Sequence, residues 1–272
     1  MVVVDTHCHA SQCWFEPVEI LLDQMTRNDV DKAVLIQIRG QYDNSYVLEC
    51  VRRFPGRFSA VVIVDHTRPD APQRLEEWTK QGAEGIRLTP ADRSPGRDPL
   101  AIWRKAAELG VPVSSGGTLE EFASAGFESI IKELPSLKVI IEHLGGVGRH
   151  YLVPRKNDPT PLAPLETYQR VLSLAQYPNT YMKVPGLGEF CPRPQPMIQP
   201  MPFTEIPSLV EMAVEAFGPQ RLMWGSDFPP VANREGYHNA LRFPMQSVDF
   251  GGEANKEWVF GGTAATLWKF PS

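Results

Sequence analysis

Eight short runs rich in β-branched residues recur along the chain, at 2–5, 33–38, 60–64, 84–88, 111–114, 138–142, 179–184 and 222–226. Most are nearly continuous in apolar side chains, the pattern of parallel strands covered on both faces. Between them lie stretches of helical period, such as Val18-Leu21-Leu22-Met25 and Leu209-Met212-Ala213-Ala216-Phe217. Further helices are expected at 45–54, 71–81, 100–109, 119–134, 164–176 and 256–269, with Thr118 as an N-cap and Gly110 as a C-cap. The first five strand-to-strand intervals each hold about thirty residues or fewer, one βα unit apiece. Eight such units predict an α/β fold: a single, slightly distorted (β/α)8 TIM barrel spanning 1–272 as one domain. An open doubly wound sheet is the alternative, but no strand-to-helix turn carries G-x-G-x-x-G. Ten of the 26 prolines fall after the sixth and seventh strands. Those Pro-rich loops, 151–164 and 188–207, are either stiff surface connections or walls of a substrate site, because βα loops build the active face of a barrel.

Composition removes several function classes. Lys and Arg number 27 against 32 Asp and Glu, a net charge of −5, and no basic run exceeds two residues. Nucleic acid is therefore not an expected partner. No apolar stretch approaches the ~18 residues of a membrane span, and the opening Met1-Val2-Val3-Val4-Asp5 has no secretory pattern. A cytoplasmic protein away from membranes is expected, acting on a small molecule; a homo-oligomer is compatible with the sequence. Cys8, Cys13, Cys50 and Cys191 form no Cys-x-x-Cys pair and are expected to be reduced and mostly buried.

The chemistry-bearing residues gather at strand ends. In Asp5-Thr6-His7-Cys8-His9, alternation sends Asp5, His7 and His9 to one face, so two imidazoles emerge together with the spacing of metal ligands. Asp5 is placed to orient one of the rings. His143 follows the sixth strand in Glu142-His143-Leu144-Gly145-Gly146, and Asp227 the eighth in Trp224-Gly225-Ser226-Asp227-Phe228-Pro229. In a barrel, His7, His9, His143 and Asp227 would converge on one mouth as four potential ligands of a divalent metal.

These motifs, with Gly261-Gly262-Thr263-Ala264-Ala265 near the end, resemble the amidohydrolase superfamily in its amidohydrolase-related branch. The stretches Ala33-Val34-Leu35-Ile36-Gln37, Asp43-Asn44-Ser45-Tyr46, Arg57-Phe58-Ser59-Ala60 through Val64-Asp65, and Gly85-Ile86-Arg87-Leu88 are similar to its sugar-lactone and 2-pyrone-4,6-dicarboxylate lactonase-like group. The chain also departs from the superfamily pattern. Binuclear members carry a bridging Lys or Glu on strand four and a His on strand five, where this chain has Arg87 and Val113-Ser114-Ser115-Gly116. The departure implies one metal at most, zinc by its ligand types, or metal-free catalysis as in some members of the lactonase group. Decarboxylases of the branch keep the strand-five His. The same opening motif resembles magnesium-dependent deoxyribonucleases, whose further ligands this chain lacks.

The resemblance implies a hydrolase opening a small lactone or related carboxylic ester, acidic or sugar-derived. Asp227 is the expected base, drawing a proton from the attacking water, with His143 as ligand or hydrogen-bond donor. Arg39, Arg87 and Lys183 are the expected substrate-binding cations, with Arg149 open between that role and a surface ion pair. Arg87 and Lys183 lie inside apolar strands, where a bare charge is costly, so each requires a partner or ligand. Gln37, Tyr42 and Asn44 could add neutral hydrogen bonds, while His66, His150 and His238 read as structural or surface residues. Two other readings stay open: a non-oxidative decarboxylase or hydratase of an unsaturated or aromatic acid, and a barrel that only binds its ligand.

Overall fold

The computed structural model describes residues 1–150 and 165–271, the side chains of Arg149 and His150 excepted. The 151–164 loop and the side chain of Arg149 therefore lie outside the described residues.

Eight parallel strands form the centre: β1 Val4–Cys8, β2 Lys32–Ile36, β3 Phe58–Val61, β4 Ile86–Leu88, β5 Val113–Ser115, β6 Val139–Ile141, β7 Thr180–Val184 and β8 Leu222–Trp224. They run in sequence order in two ladders, β1-β2-β3 and β4-β5-β6-β7-β8. Two seams join the ladders. Between β3 and β4 the Val62 amide donates to Gly85 O (3.0 Å) and the Arg87 amide to Val62 O (2.8 Å). Between β8 and β1 the Asp227 amide donates to His7 O (2.7 Å) and the His9 amide to Phe228 O (2.8 Å). The strands thus form the slightly distorted (β/α)8 ring that the strand spacing predicts, the seams held by isolated bridges.

Helices α1 Val18–Arg27, α2 Ser45–Arg53, α3 Ala71–Lys80, α4 Ala101–Leu109, α5 Ala125–Glu133, α6 Leu165–Leu172, α7 Leu209–Phe217 and α8 Tyr237–Ser247 alternate with the strands. Their apolar stripes and the outward faces of the strands make one large core, with Leu21, Met25, Trp103, Phe127 and Tyr168 fully buried. A second cluster of Val4, Val34, Ile36, Val61, Ile140 and Met223 closes around Trp268 and Phe270 near the chain's end.

Local chemistry explains where elements break. Thr118 does cap a helix, in a reciprocal capping box with Glu121, but the expected 119–134 helix is two. Ser124 accepts the Phe127 amide and starts α5 afresh. Gly110 ends α4 in the left-handed conformation, φ 69°. The 256–269 helix is interrupted by a π turn at Trp258–Gly262. There a Cβ on Gly261 would overlap the Val2 carbonyl, so only glycine lets this segment close on the start of β1. Helix α8 was not among the expected elements; its interior Pro244 masks the helical period.

Candidate active site

The first strand begins and ends later than its apolar run suggested. β1 pairs with β2 through Val4↔Lys32, and its register slips between Asp5 and Cys8, so the Asp-x-His-x-His motif lies largely within the strand. Asp5 does not touch an imidazole ring. Its carboxylate accepts the His7 amide (3.1 Å) and both the amide (2.9 Å) and hydroxyl (2.6 Å) of Ser226, tying β1 to the turn after β8. That turn needs Gly225, where a Cβ would come within 2.6 Å of the His7 Cβ.

His7, His9 and Asp227 are brought together. His7 Nε2 and His9 Nε2 lie 3.8 and 3.6 Å from Asp227 Oδ1. His9 Nδ1 lies 2.7 Å from the Ile36 carbonyl, which can only accept; that nitrogen therefore carries a proton, and Nε2 is the atom turned towards the Asp227 carboxylate. His7 Nε2 is buried with no hydrogen-bond partner among the described residues. A buried carboxylate facing two imidazole nitrogens, one of them without a hydrogen-bond partner among the described residues, leaves a place for positive charge. The three atoms lie within 4.8 Å of one another, a spacing that suits two imidazoles and a carboxylate around one divalent ion with a coordination position to spare. The residues fit a single metal.

His143 stands beside this trio, its ring 4.5 Å from that of His7. Its donor atoms group with His7 and Glu142, and separately with Glu189 and Asp227. Its Nδ1 is 2.7 Å from Glu189 Oε1. Burial pulls the imidazole pKa down, but the Glu189 carboxylate outweighs it and raises His143 above the usual histidine value. For Asp227, burial works to raise the pKa, yet the His9 contact, His143 and Arg234 hold it below the ordinary carboxylate value, so it stays ionised at neutral pH. Both residues have left-handed backbone, φ 54° for His143 and 58° for Asp227, a conformation His and Asp adopt more readily than most side chains.

Beneath the imidazoles lies a buried ionic network that sequence reasoning saw only in part. Strand register places Arg87 beside Ser114 and, two residues further along the ladder, Lys183 beside Met223. Glu142, fully buried, accepts from Arg87 Nη2 (2.9 Å) and Nε (3.2 Å) and from the Ser114 hydroxyl (2.7 Å). Lys183 donates to Ser114 Oγ (2.8 Å), with its Nζ 3.8 Å from Glu142 and 3.2 Å from His7 Nδ1. The partner that Arg87 and Lys183 required is thus Glu142. Burial would raise Glu142, but Arg87 and Lys183 hold it well below the usual carboxylate range. Lys183 is pushed down to about 8 by burial, against the pull of Glu142. His7 is driven well below the usual histidine value by burial and by Lys183. Arg39 Nη2 donates to Gly116 O (2.6 Å) and shares a cleft of about 160 Å³ with Arg87, Tyr42 and His66. A larger hollow, about 780 Å³, lies at the other end of the barrel among Val4, Lys32, Lys138 and Trp268, away from the His and Asp groups.

Glu142, Ser114, Glu189, Arg234 and Glu235 were not among the expected site residues. A carboxylate ending the apolar run of β6 was a signal for Glu142. No periodicity points to Glu189 or Arg234, which lie in irregular segments after β7 and β8. Among the supporting hydrogen bonds expected, Gln37 donates to Asp43 O (2.8 Å) within its own loop, Asn44 donates to Ile63 O (2.9 Å) and accepts the Ile63 amide (3.0 Å), tying that loop to the segment after β3, and Tyr42 lines the cleft.

Comparison with known proteins places this arrangement. Over 235 residues the chain is 26% identical to 4-sulfomuconolactone hydrolase of Hydrogenophaga intermedia, covering 84% of this chain and 69% of that one. Over 256 residues it is 25% identical to L-fucono-1,5-lactonase of Burkholderia ambifaria, covering 90% and 82%. An amidohydrolase structure from Burkholderia multivorans with bound zinc superposes over the whole of both chains, with a TM-score of 0.75 at 19% identity. The amidohydrolase family model matches residues 4–270, and the chain, a hydrolase by that membership, belongs to the amidohydrolase family.

Proposed function

We propose that this protein opens a small lactone, or a related carboxylic ester, by attack of water at the ring carbonyl, and that residues 1–272 act as one catalytic unit. The observation that carries the reading is the meeting of His7 Nε2, His9 Nε2 and Asp227 Oδ1 at the barrel mouth, in a family whose matched relatives include two lactone hydrolases.

Asp227, ionised and turned towards the two imidazoles, takes the proton of the attacking water. As the new carbon–oxygen bond forms and the ring acyl–oxygen bond breaks, the same proton passes to the departing oxygen. His143, its Nδ1 engaged by Glu189, offers its other nitrogen as hydrogen-bond donor to the carbonyl oxygen, where negative charge develops. His7, His9 and Asp227 are the residues that would hold a divalent ion, zinc by donor type; such an ion supplies Lewis acidity and a lower water pKa. We assign the substrate's acidic group to Arg39 and Arg87, which line the cleft beside Glu142. Lys183 lies behind His7 and serves the imidazole. The product is an open-chain hydroxy acid or its keto tautomer.

The test is a panel of sugar lactones and pyrone carboxylates, with and without chelator, alongside metal analysis. Ring opening is expected for at least one acidic lactone, with about one zinc per chain. Asp227→Asn should lower kcat by about 10³-fold or more with unchanged circular dichroism. Release of carbon dioxide in place of ring opening, or wild-type turnover by the Asn variant, would overturn the assignment.

A further inference from the structure

We propose that Arg234 is a positioning residue: one buried guanidinium sets the base Asp227 and the imidazole of His143 relative to each other, taking the place a second cation would fill. The proposal rests on the reading of Asp227 as the base.

Arg234 lies in the turn after β8. Its Nη1 donates to Asp227 Oδ2 at 3.1 Å, and its Nη2 lies 3.5 Å from Glu189 Oε2. The other oxygen of Glu189 is the one bound to His143 Nδ1. An unbroken path thus runs from Asp227 through Arg234 and Glu189 to His143, with side chains of Arg234 and Glu189 only 10% and 3% exposed. His143, Glu189 and Asp227 are grouped closely enough to hold a metal ion. Two carboxylates so close in a buried setting need a neutralising charge, and the planar fork of arginine supplies it to both while fixing their orientation, as a lysine cannot.

The fork binds Oδ2 of Asp227, leaving Oδ1 towards His7 and His9. It therefore selects which oxygen meets the reacting water without touching that water. The neighbouring residue strengthens the brace. Glu235 accepts the Gly188 amide (3.0 Å), stapling the turn after β8 to the segment that carries Glu189. The clamp holds in register two residues whose left-handed backbones lie on different strands' ends, β6 and β8.

The experiment compares Arg234→Ala, Arg234→Lys, Glu189→Gln and the Ala/Gln double variant, with kcat and KM on the best lactone and the imidazole N–H resonance of ¹⁵N-labelled His143. Arg234→Ala is expected to cut kcat by about 100-fold with KM changed less than about threefold, since misplacement by about an ångström acts on the transition state. Arg234→Lys should recover less than about a tenth of the lost rate, because a point charge cannot bridge both carboxylates. The double variant should lose far less than the product of the single losses, because the two residues share one path. The downfield His143 Nδ1–H signal should move in Arg234→Ala and move upfield in Glu189→Gln, whose neutral amide oxygen accepts more weakly than a carboxylate. A kcat within about threefold of wild type, losses that multiply, or a His143 resonance unmoved by removal of Arg234 would each overturn the clamp. If Arg234→Ala does not fold, Arg234→Lys and Glu189→Gln carry the same readouts. The resonance needs no turnover, so a wild type that opens no lactone sinks the proposed reaction and leaves the clamp to be judged on the spectrum.

Discussion

Replacing Glu142 with Gln keeps the shape of the side chain and removes the one negative charge that Arg87 and Lys183 share. In the native protein Glu142 and Lys183 are almost wholly inaccessible and Arg87 nearly so, at 0%, 2% and 10% exposed. Breaking a buried pair by deleting one partner typically costs about 3–5 kcal/mol. The structure shows how that cost divides. Lys183 already sits at about 8 against an ordinary value of 10.5, so its desolvation outweighs the pull of Glu142 even in the intact network. Without Glu142 its pKa moves further down and the amine sheds its proton more readily, which limits its share of the added loss. Arg87 cannot lose its proton and accounts for the rest. A total of about 3–5 kcal/mol lowers Tm by roughly 10 °C in a chain of this size. The sign with pH also follows. A base whose folded pKa is depressed binds fewer protons in the folded than in the unfolded state, so stability rises with pH between the two values. In the wild type that window runs from about 8 to 10.5; in the Gln variant it opens at lower pH, and the deficit relative to wild type shrinks as pH rises from 7 towards 9. Urea denaturation with chelator present, at several pH values, measures both. A loss under about 1 kcal/mol at pH 7, or one that does not change with pH, would refute the assignment of charges in this network.

Two further outcomes follow from packing. Gly186→Ala places a Cβ against Ala240 Cβ at 2.6 Å and onto the Glu235 carboxylate; it should lower the urea midpoint by the equivalent of about 1–3 kcal/mol, and an unchanged midpoint would contradict the close approach of the β7 loop to α8. Of four cysteines, Cys13 alone is exposed, while burial pushes the Cys50 thiol to about 11 and Cys191 to about 12 and raises Cys8 well above the usual thiol value. A disulfide reagent at pH 8 should titrate one thiol quickly in the native protein and all four after denaturation; two or more fast thiols would disprove the burial of the others.

The order of strands was legible because parallel strands under helices must be apolar on both faces, and that demand prints eight short runs at βα spacing whatever the loops contain. Once the strands are ordered, a residue just past a run lies at the mouth, which is how His143 and Asp227 could be named beside His7 and His9. The cap at Thr118 and the stop at Gly110 were readable for a similar reason: each satisfies backbone groups a few residues away. The π turn at Gly261 was hidden because the distant Val2 carbonyl decides it; helix α8 was masked by its own Pro244, and the split at Ser124 by the unbroken apolar period on either side of a local cap.

Sequence alone determined the alternation of elements, the face on which chemistry gathers and the requirement that Arg87 and Lys183 find a partner, since all three follow from local periodicity and the cost of burying charge. Only the tertiary structure decided that the partner is Glu142, that Asp5 holds backbone and serine in place of an imidazole, and that Glu189 and Arg234 stand behind His143 and Asp227. Those contacts join residues as far as 221 positions apart, and no local pattern records which distant side chains a closed ring of strands will bring within hydrogen-bond reach.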